Sequence, residues 1–212
     1  MLIGEIQNLT DEVENLKLEI EDLKLEIEVL KRPAFQPQSR DDLRGAIGLR
    51  TEYPGASNAI FGNINTWDTS LITNMSYLFS YTPFNDDISG WDVSSVTDMS
   101  EMFHQASSFN QNISGWDVSS VTDMGRMFHQ ASSFNQNISG WDVSSVTYMS
   151  KMFQQASSFN QNISGWDISS VTNTINMFYA TEELSDSNKC EIHTSFSSNN
   201  NWGYDWESYC SD

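Results

Sequence analysis

Trp67, Trp91, Trp116, Trp141 and Trp166 are spaced 24, 25, 25 and 25 residues apart, and an Asp follows each of them. Around them the chain nearly repeats itself: "FNQNISGWDVSSVTDMGRMFHQASS" begins at Phe109 and "FNQNISGWDVSSVTYMSKMFQQASS" at Phe134. A fixed period of roughly 20–29 residues marks stacked repeats, each one supersecondary unit. One unit cannot enclose both its Trp and its Met-Phe stripe, whereas stacked neighbours can.

Within a unit, Ile113, Trp116, Val118 and Val121 follow the apolar spacing of leucine-rich repeats. Trp-Asp-Val predicts a short strand with Trp and Val inward and Asp outward. Met99, Met102, Phe103 and Ala106 fall at i, i+3, i+4 and i+7, one face of a short helix. Asp98 and Glu101 offer that helix a capping box. The expectation is an α/β solenoid: a leucine-rich-repeat-like right-handed coil of about five strand-turn-short-helix repeats over residues 61–183.

The flanks differ in pattern. Residues 33–39 read as a linker. Residues 40–60 read as an N-terminal cap with a helix carrying Leu43, Ile47 and Leu49. Residues 184–212 break the period and read as a C-terminal cap, which stacked repeats need to cover their last core layer. They hold the two cysteines, Cys190 and Cys210. Without a further Cys or a His cluster the pair reads as a disulfide rather than a metal site; two free buried thiols are the competing reading.

Residues 1–32 carry a different signal. Ile6, Val13, Ile20 and Ile27 alternate by threes and fours with Leu9, Leu16, Leu23 and Leu30. This is a heptad seam, and β-branched a positions with Leu at d favour a parallel two-stranded coiled coil. Glu12, Glu19 and Glu26 at g would face Lys17, Lys24 and Lys31 at e of a partner helix. No polar residue occupies an a position, so a trimer stays open; the f-position Leu18 and Leu25 are unexplained by a simple dimer. An amphipathic helix folded on its own domain is the alternative, but the seam is narrower than a globular helix face. The segment also reads as a fused oligomerisation element, in which case it says little about the parent protein. Pro33 ends the helix.

Charge excludes some partners. The chain has 29 acidic and 10 basic side chains, a net charge of −19. That argues against nucleic acid and against anionic membrane surfaces. No apolar run reaches the roughly 18 residues of a membrane span, and the N-terminus shows no signal-peptide core.

The repeat FNQNISGWDVSSVTDMSxMFxxASS resembles the BspA-like leucine-rich-repeat surface proteins, known also from mycoplasma lipoprotein-type repeats. The likeness covers about 61–183, and the tail "LSDSNKCEIHTSFSSNNNWGYDWESYC" is similar to the closing segment that often follows such repeats. The family usually has Asn in WDVSNVTDM, where this chain has Ser95, Ser120, Ser145 and Ser170. An Asn ladder at that turn is therefore lost or replaced by hydroxyls. The resemblance implies an extracellular or surface-displayed binding scaffold and names no ligand.

Three constellations could carry function. Asp68, Asp92, Asp117, Asp142 and Asp167 form a column, which in-register strands would space at about 4.8 Å. Like charges that close repel. Either each Asp accepts hydrogen bonds from the following Ser-Ser amides in an Asx-turn, or the column binds a cation such as Ca2+ or a basic partner. Asn112, Asn137 and Asn162, with Asn8 and Asn74, lie in N-glycosylation sequons; chance occurrence in an Asn- and Ser-rich chain competes with that reading. His104 and His129 hold equivalent positions, with Gln154 in the next copy and His193 standing alone. Aligned imidazoles can ligate a metal, but surface helix residues explain them better, and no metal site or other cofactor is expected.

No phosphate loop, nucleophile elbow or zinc-protease motif is present. The expectation is a non-enzymatic, extracellular or surface-displayed binding or adhesion module. It forms a homo-oligomer through the coiled coil and binds a protein or glycan elsewhere, with the Asp column as the contact surface. A structural subunit of an extracellular fibre is the first alternative and a glycan-active enzyme the second.

Overall fold

The computed structural model describes residues 2–30 and 33–210; within the first helix it describes the side chains of residues 6, 8–24 and 27. The chain divides into two units, Met1–Ala34 and Phe35–Asp212.

The first unit holds helix α1 (Leu2–Leu30). Its seam residues Ile6, Leu9, Val13, Leu16, Ile20, Leu23 and Ile27 are 47–60% exposed, and Leu18 is 66% exposed. The seam position Leu30, with Leu25, Glu26 and Lys31, lies outside the described side chains. Along the helix Lys17 pairs with Glu14 at 2.9 Å and Lys24 with Glu21 at 2.7 Å.

The second unit begins with α2 (Arg40–Glu52) and α3 (Pro54–Phe61). Ser39 caps α2 by accepting from the Asp42 N–H, and Leu43, Ala46 and Ile47 are buried. Five rungs follow, residues 61–84, 85–109, 110–134, 135–159 and 160–184, and then α4 (Asp186–Phe196). One core runs through all the rungs. In the third, Ile113, Trp116, Val118, Val121, Met124, Met127, Phe128, Ala131 and Phe134 are all buried.

The rungs are not strand-turn-helix units, and the expected α/β leucine-rich-repeat solenoid is overturned. Among the described residues there is no strand, and beyond Phe61, the last residue of α3, the five rungs contain no α-helix, only a 3-10 turn at Ile64–Thr66. Strand-like pairing between rungs is confined to single parallel bridges joining Asn74, Asp98, Asp123, Tyr148 and Asn173 in series. The rest of each rung is consecutive turns. The Trp N–H closes one turn onto the Ile three residues back, as Trp116 does onto Ile113 at 3.2 Å, and Val121 closes another onto Val118 at 2.9 Å.

The reason the Met-Phe stripe is not helical is spacing. Packed helices sit about 8–10 Å apart, while extended backbones pair at about 4.8 Å. Here the Phe79, Phe103, Phe128, Phe153 and Phe178 rings repeat at 5.3–5.7 Å. On the other side Trp67–Trp91 and Trp141–Trp166 stack at 6.4 and 6.3 Å. A helix in every rung would force one side of the stack apart. The stripe instead turns so that alternate N–H groups point to the next rung: Met99 to the Asp123 carbonyl, Glu101 to Gly125, Phe103 to Met127 and Gln105 to His129, at 2.8–3.0 Å. Met102, His104 and Ala106 donate back to the residue three before. Asp98 accordingly accepts from the Ser100 N–H rather than capping a helix.

This pattern requires left-handed backbone at two positions per rung. In the second to fourth rungs these are Glu101, Gln105, Arg126, Gln130, Lys151 and Gln155, with φ between 55° and 61°. Each costs roughly 1–2 kcal/mol in a non-glycine residue. All six donate their N–H to the next rung, so the inter-rung bonds offset the strain.

Polar ladders reinforce the stack. Thr97, Thr122, Thr147 and Thr172 each give both N–H and Oγ1–H to the carbonyl of the preceding Thr. Asn85, Asn110 and Asn135 each accept the N–H of the next Asn in the column, at 2.9–3.0 Å. Trp91, Trp116, Trp141 and Trp166 donate their indole N–H to the Ile carbonyl of the preceding rung, at 2.8–3.2 Å. Trp67 has no such rung before it, and its buried Nε1 has no hydrogen-bond partner among the described residues.

Both ends of the stack are covered. Phe35, in the segment read as a linker, packs on Phe61 and Trp67 with centroids at 4.4 and 5.0 Å. At the far end Trp202, Tyr204 and Trp206 surround Phe178. Cys190 on α4 is disulfide-bonded to Cys210.

Lys151 tests the left-handed geometry. Lys151→Gly is expected to keep or raise stability by up to about 1 kcal/mol, since the relieved strain exceeds glycine's extra chain entropy. Lys151→Val is expected to lower stability by more than about 1 kcal/mol, because a β-branched residue fits that region worst. Urea unfolding of the two variants beside the parent reads the difference.

Candidate functional site

The Asp column stands on one exposed face. In every member Oδ1 accepts the N–H of the Ser two residues on, at 2.9–3.1 Å. Ser70, Ser94, Ser119 and Ser144 add their hydroxyls to the same oxygen at 2.6–2.7 Å. The serine hydroxyl and then its N–H hold Asp68, Asp117 and Asp142 below the usual carboxylate range; for Asp167 the Ser169 N–H is the first cause. These carboxylates are caps of their own turns. Among the described residues no three His, Cys, Asp or Glu side chains converge where a metal could sit.

The sequon asparagines are also engaged locally. Asn112, Asn137 and Asn162 accept the N–H of Ser114, Ser139 and Ser164 at 2.9–3.0 Å. Asn162 also donates to Glu191 at 2.5 Å. Asn74 donates to Asp98 at 3.0 Å, and Asn8 is exposed on α1.

The densest chemistry lies in the turn segment that follows the Thr ladder, where alternate backbone N–H groups cross between rungs. Glu101 is buried there and gathers three partners from three rungs. Its Oε1 accepts from Tyr77 Oη at 3.0 Å and from Arg126 at 2.8 Å, and its Oε2 lies 2.9 Å from His104 Nδ1. Burial pushes the Glu101 carboxyl up, but the bonds from Arg126, His104 and Tyr77 outweigh it and leave it below its ordinary value. His104 stacks on His129 with centroids 4.6 Å apart and planes 20° from parallel. Stacked in parallel, the two rings do not aim their nitrogens at one point, which is poor geometry for sharing a metal. Burial, then the charges of His104, Arg126 and Lys151, lower His129 to about 4, and its buried Nδ1 has no hydrogen-bond partner among the described residues. His193 is remote from this pair and accepts from Trp202 Nε1 at 3.1 Å.

Sequence reading placed His104 and His129 on a helix surface and missed Tyr77, Glu101 and Arg126 as their partners. A helical reading points these side chains in other directions. The left-handed turns bring residues 24 or 25 apart into direct contact.

His129 gives the fold a pH dependence of definite sign. Its folded pKa lies below the ordinary histidine value, so the unfolded chain takes up the proton first. The stability this represents is complete above pH ~6.5, falls as the pH drops, and is lost once the pH is below about 4. His129→Gln, the residue present at the same place in the next rung as Gln154, is expected to flatten the melting temperature across that window. Thermal melts of both proteins at closely spaced pH values check this.

No curated protein and no solved structure matches the chain. One family, described as "Mycoplasma protein of unknown function, DUF285", matches residues 49–144 and 115–202 in overlapping copies. These matches take in the five rungs and both flanking caps in part. By that match over more than half its length, the chain belongs to the DUF285 family.

Proposed function

We propose that this protein is a surface-displayed, non-enzymatic binding module that works as an oligomer, with α1 joining the copies. The observation that carries this reading is the apolar seam of α1. Seven described heptad residues stand about half exposed in the single chain. Fully burying a side chain of this kind contributes roughly 1.5–3 kcal/mol, so an unpaired seam is a strong drive to associate. β-Branched residues at a and Leu at d favour two parallel chains.

Joining two stacks raises the effective concentration of the second to the order of millimolar, which turns weak contacts into useful avidity. The Cys190–Cys210 disulfide suits an oxidising location outside the cytosol. No described helix is long and apolar enough to cross a membrane.

Light scattering tests the reading. The whole chain is expected at twice the chain mass, and the chain lacking residues 1–32 at one. Leu16→Lys in the whole chain is expected to give monomers with the rung spectrum unchanged by circular dichroism. A monomeric whole chain at micromolar concentration overturns the oligomeric reading.

A further inference from the structure

The second, third and fourth rungs are nearly identical, so the places where they differ are informative. They differ at six of their 25 aligned positions. Two of these are Asp86-Asp87, which the later rungs replace with Gln-Asn. The other four all lie in one seven-residue turn segment: Asp98/Asp123/Tyr148, Ser100/Gly125/Ser150, Glu101/Arg126/Lys151 and His104/His129/Gln154. Exposure alone does not explain this. Asp117 and Thr122 and their counterparts are more exposed than most of these residues and do not vary. Those unvarying side chains are committed to backbone bonds, as caps and ladders; Asp98 and Asp123 cap their turns in the same way, at 2.9 and 2.8 Å.

The differing residues are fitted to one another across rungs. Arg126 bonds Glu101. Gly125 stands where the neighbouring rungs have Ser, and a Cβ there would lie 2.7 Å from the Tyr148 ring. Glycine is thus what lets Tyr148 lie over the third rung. His104 packs against Tyr81 on one side and His129 on the other, at 4.9 and 4.6 Å.

The charges on this face do not all cancel. Asp98 and Asp123 sit side by side on bridged rungs, and neither has an ion-pair partner among the described residues. Burial, and in smaller part the Asp98 charge, raise the Asp123 carboxyl against the lowering effect of the Gly125 N–H. One rung on, Lys151 also lacks an ion-pair partner among the described residues. Tyr148 stands between, 39% exposed.

Resting on the reading of this protein as a binding module, we propose that its contact surface is this turn face, centred on Asp98, Asp123, Tyr148 and Lys151. The partner is a polypeptide that sets a basic side chain against the two aspartates and an acidic one against Lys151. A polyanion is repelled by the aspartates, and a polycation by Lys151, since Arg126 is already paired with Glu101. A neutral glycan leaves both charges uncompensated. Opposite charges within a few residues of each other are peptide chemistry, and Tyr and Arg are the residues that dominate protein interfaces.

The test uses the whole chain and a library of short synthetic peptides, each with one Lys or Arg and one Asp or Glu in either order, against uncharged peptides. One charge order is expected to be enriched. Lys151→Glu should weaken an enriched peptide about tenfold or more, and Tyr148→Ala similarly. Changing the acidic residue of the peptide to Lys should restore binding to Lys151→Glu. That variant suits the backbone, since Glu101 occupies the same left-handed position two rungs earlier. Asp142→Asn, in the Asp column, should change nothing. No enrichment over uncharged peptides, or enriched peptides indifferent to Lys151→Glu and Tyr148→Ala, overturns the proposal. Peptides that respond to Asp142→Asn instead move binding to the Trp-Asp face, which overturns this assignment while the binding function stands. The oligomeric reading is decided separately by mass.

Discussion

Alternate backbone N–H groups in each turn segment must reach carbonyls of the next rung, and most of the second unit follows from that. The requirement sets one short pitch on every side of the stack. It excludes a helix from the rung, because a helix is too wide. It forces left-handed backbone at Glu101, Gln105 and their equivalents, and the same hydrogen bonds offset the strain. It also brings equivalent side chains face to face, so the Phe and His columns stack as rings.

That geometry divides the surface by role. On the Trp-Asp side, Asp, Ser, Thr and Asn are spent on caps and ladders, and copies of the repeat cannot depart from them without loosening the stack. On the turn side backbone bonds cross at alternate residues, and side-chain pairs add to them. Side chains there can differ from rung to rung, and they do so in matched sets such as Glu101 with Arg126 and Gly125 with Tyr148.

Much of the core was legible. The Trp period and the spacing of Ile113, Val118, Val121, Met124 and Phe128 identify residues that are all buried. Their local conformation was not legible, because Met99, Met102, Phe103 and Ala106 fit a helical face and a left-handed turn equally well. Apolar periodicity reports which side chains point inward, and two backbones can satisfy the same pattern. The Asn column was sought at the Ser-Ser turn, where this chain has Ser120. It lies instead in FNQN, where Asn110 and Asn135 link successive rungs. The sequence showed asparagine at a fixed interval there, but not that its side chain reaches the next backbone.

The amino-acid order alone determined the repetition, the inward set and the heptad pattern of α1, because each rests on spacing along the chain. Only the tertiary structure decided the rung conformation and the joining of Tyr77, Glu101, His104, Arg126 and His129 into one network. Those depend on the distance between stacked rungs. That distance is set by hydrogen bonds between residues some 25 positions apart, which no local pattern encodes.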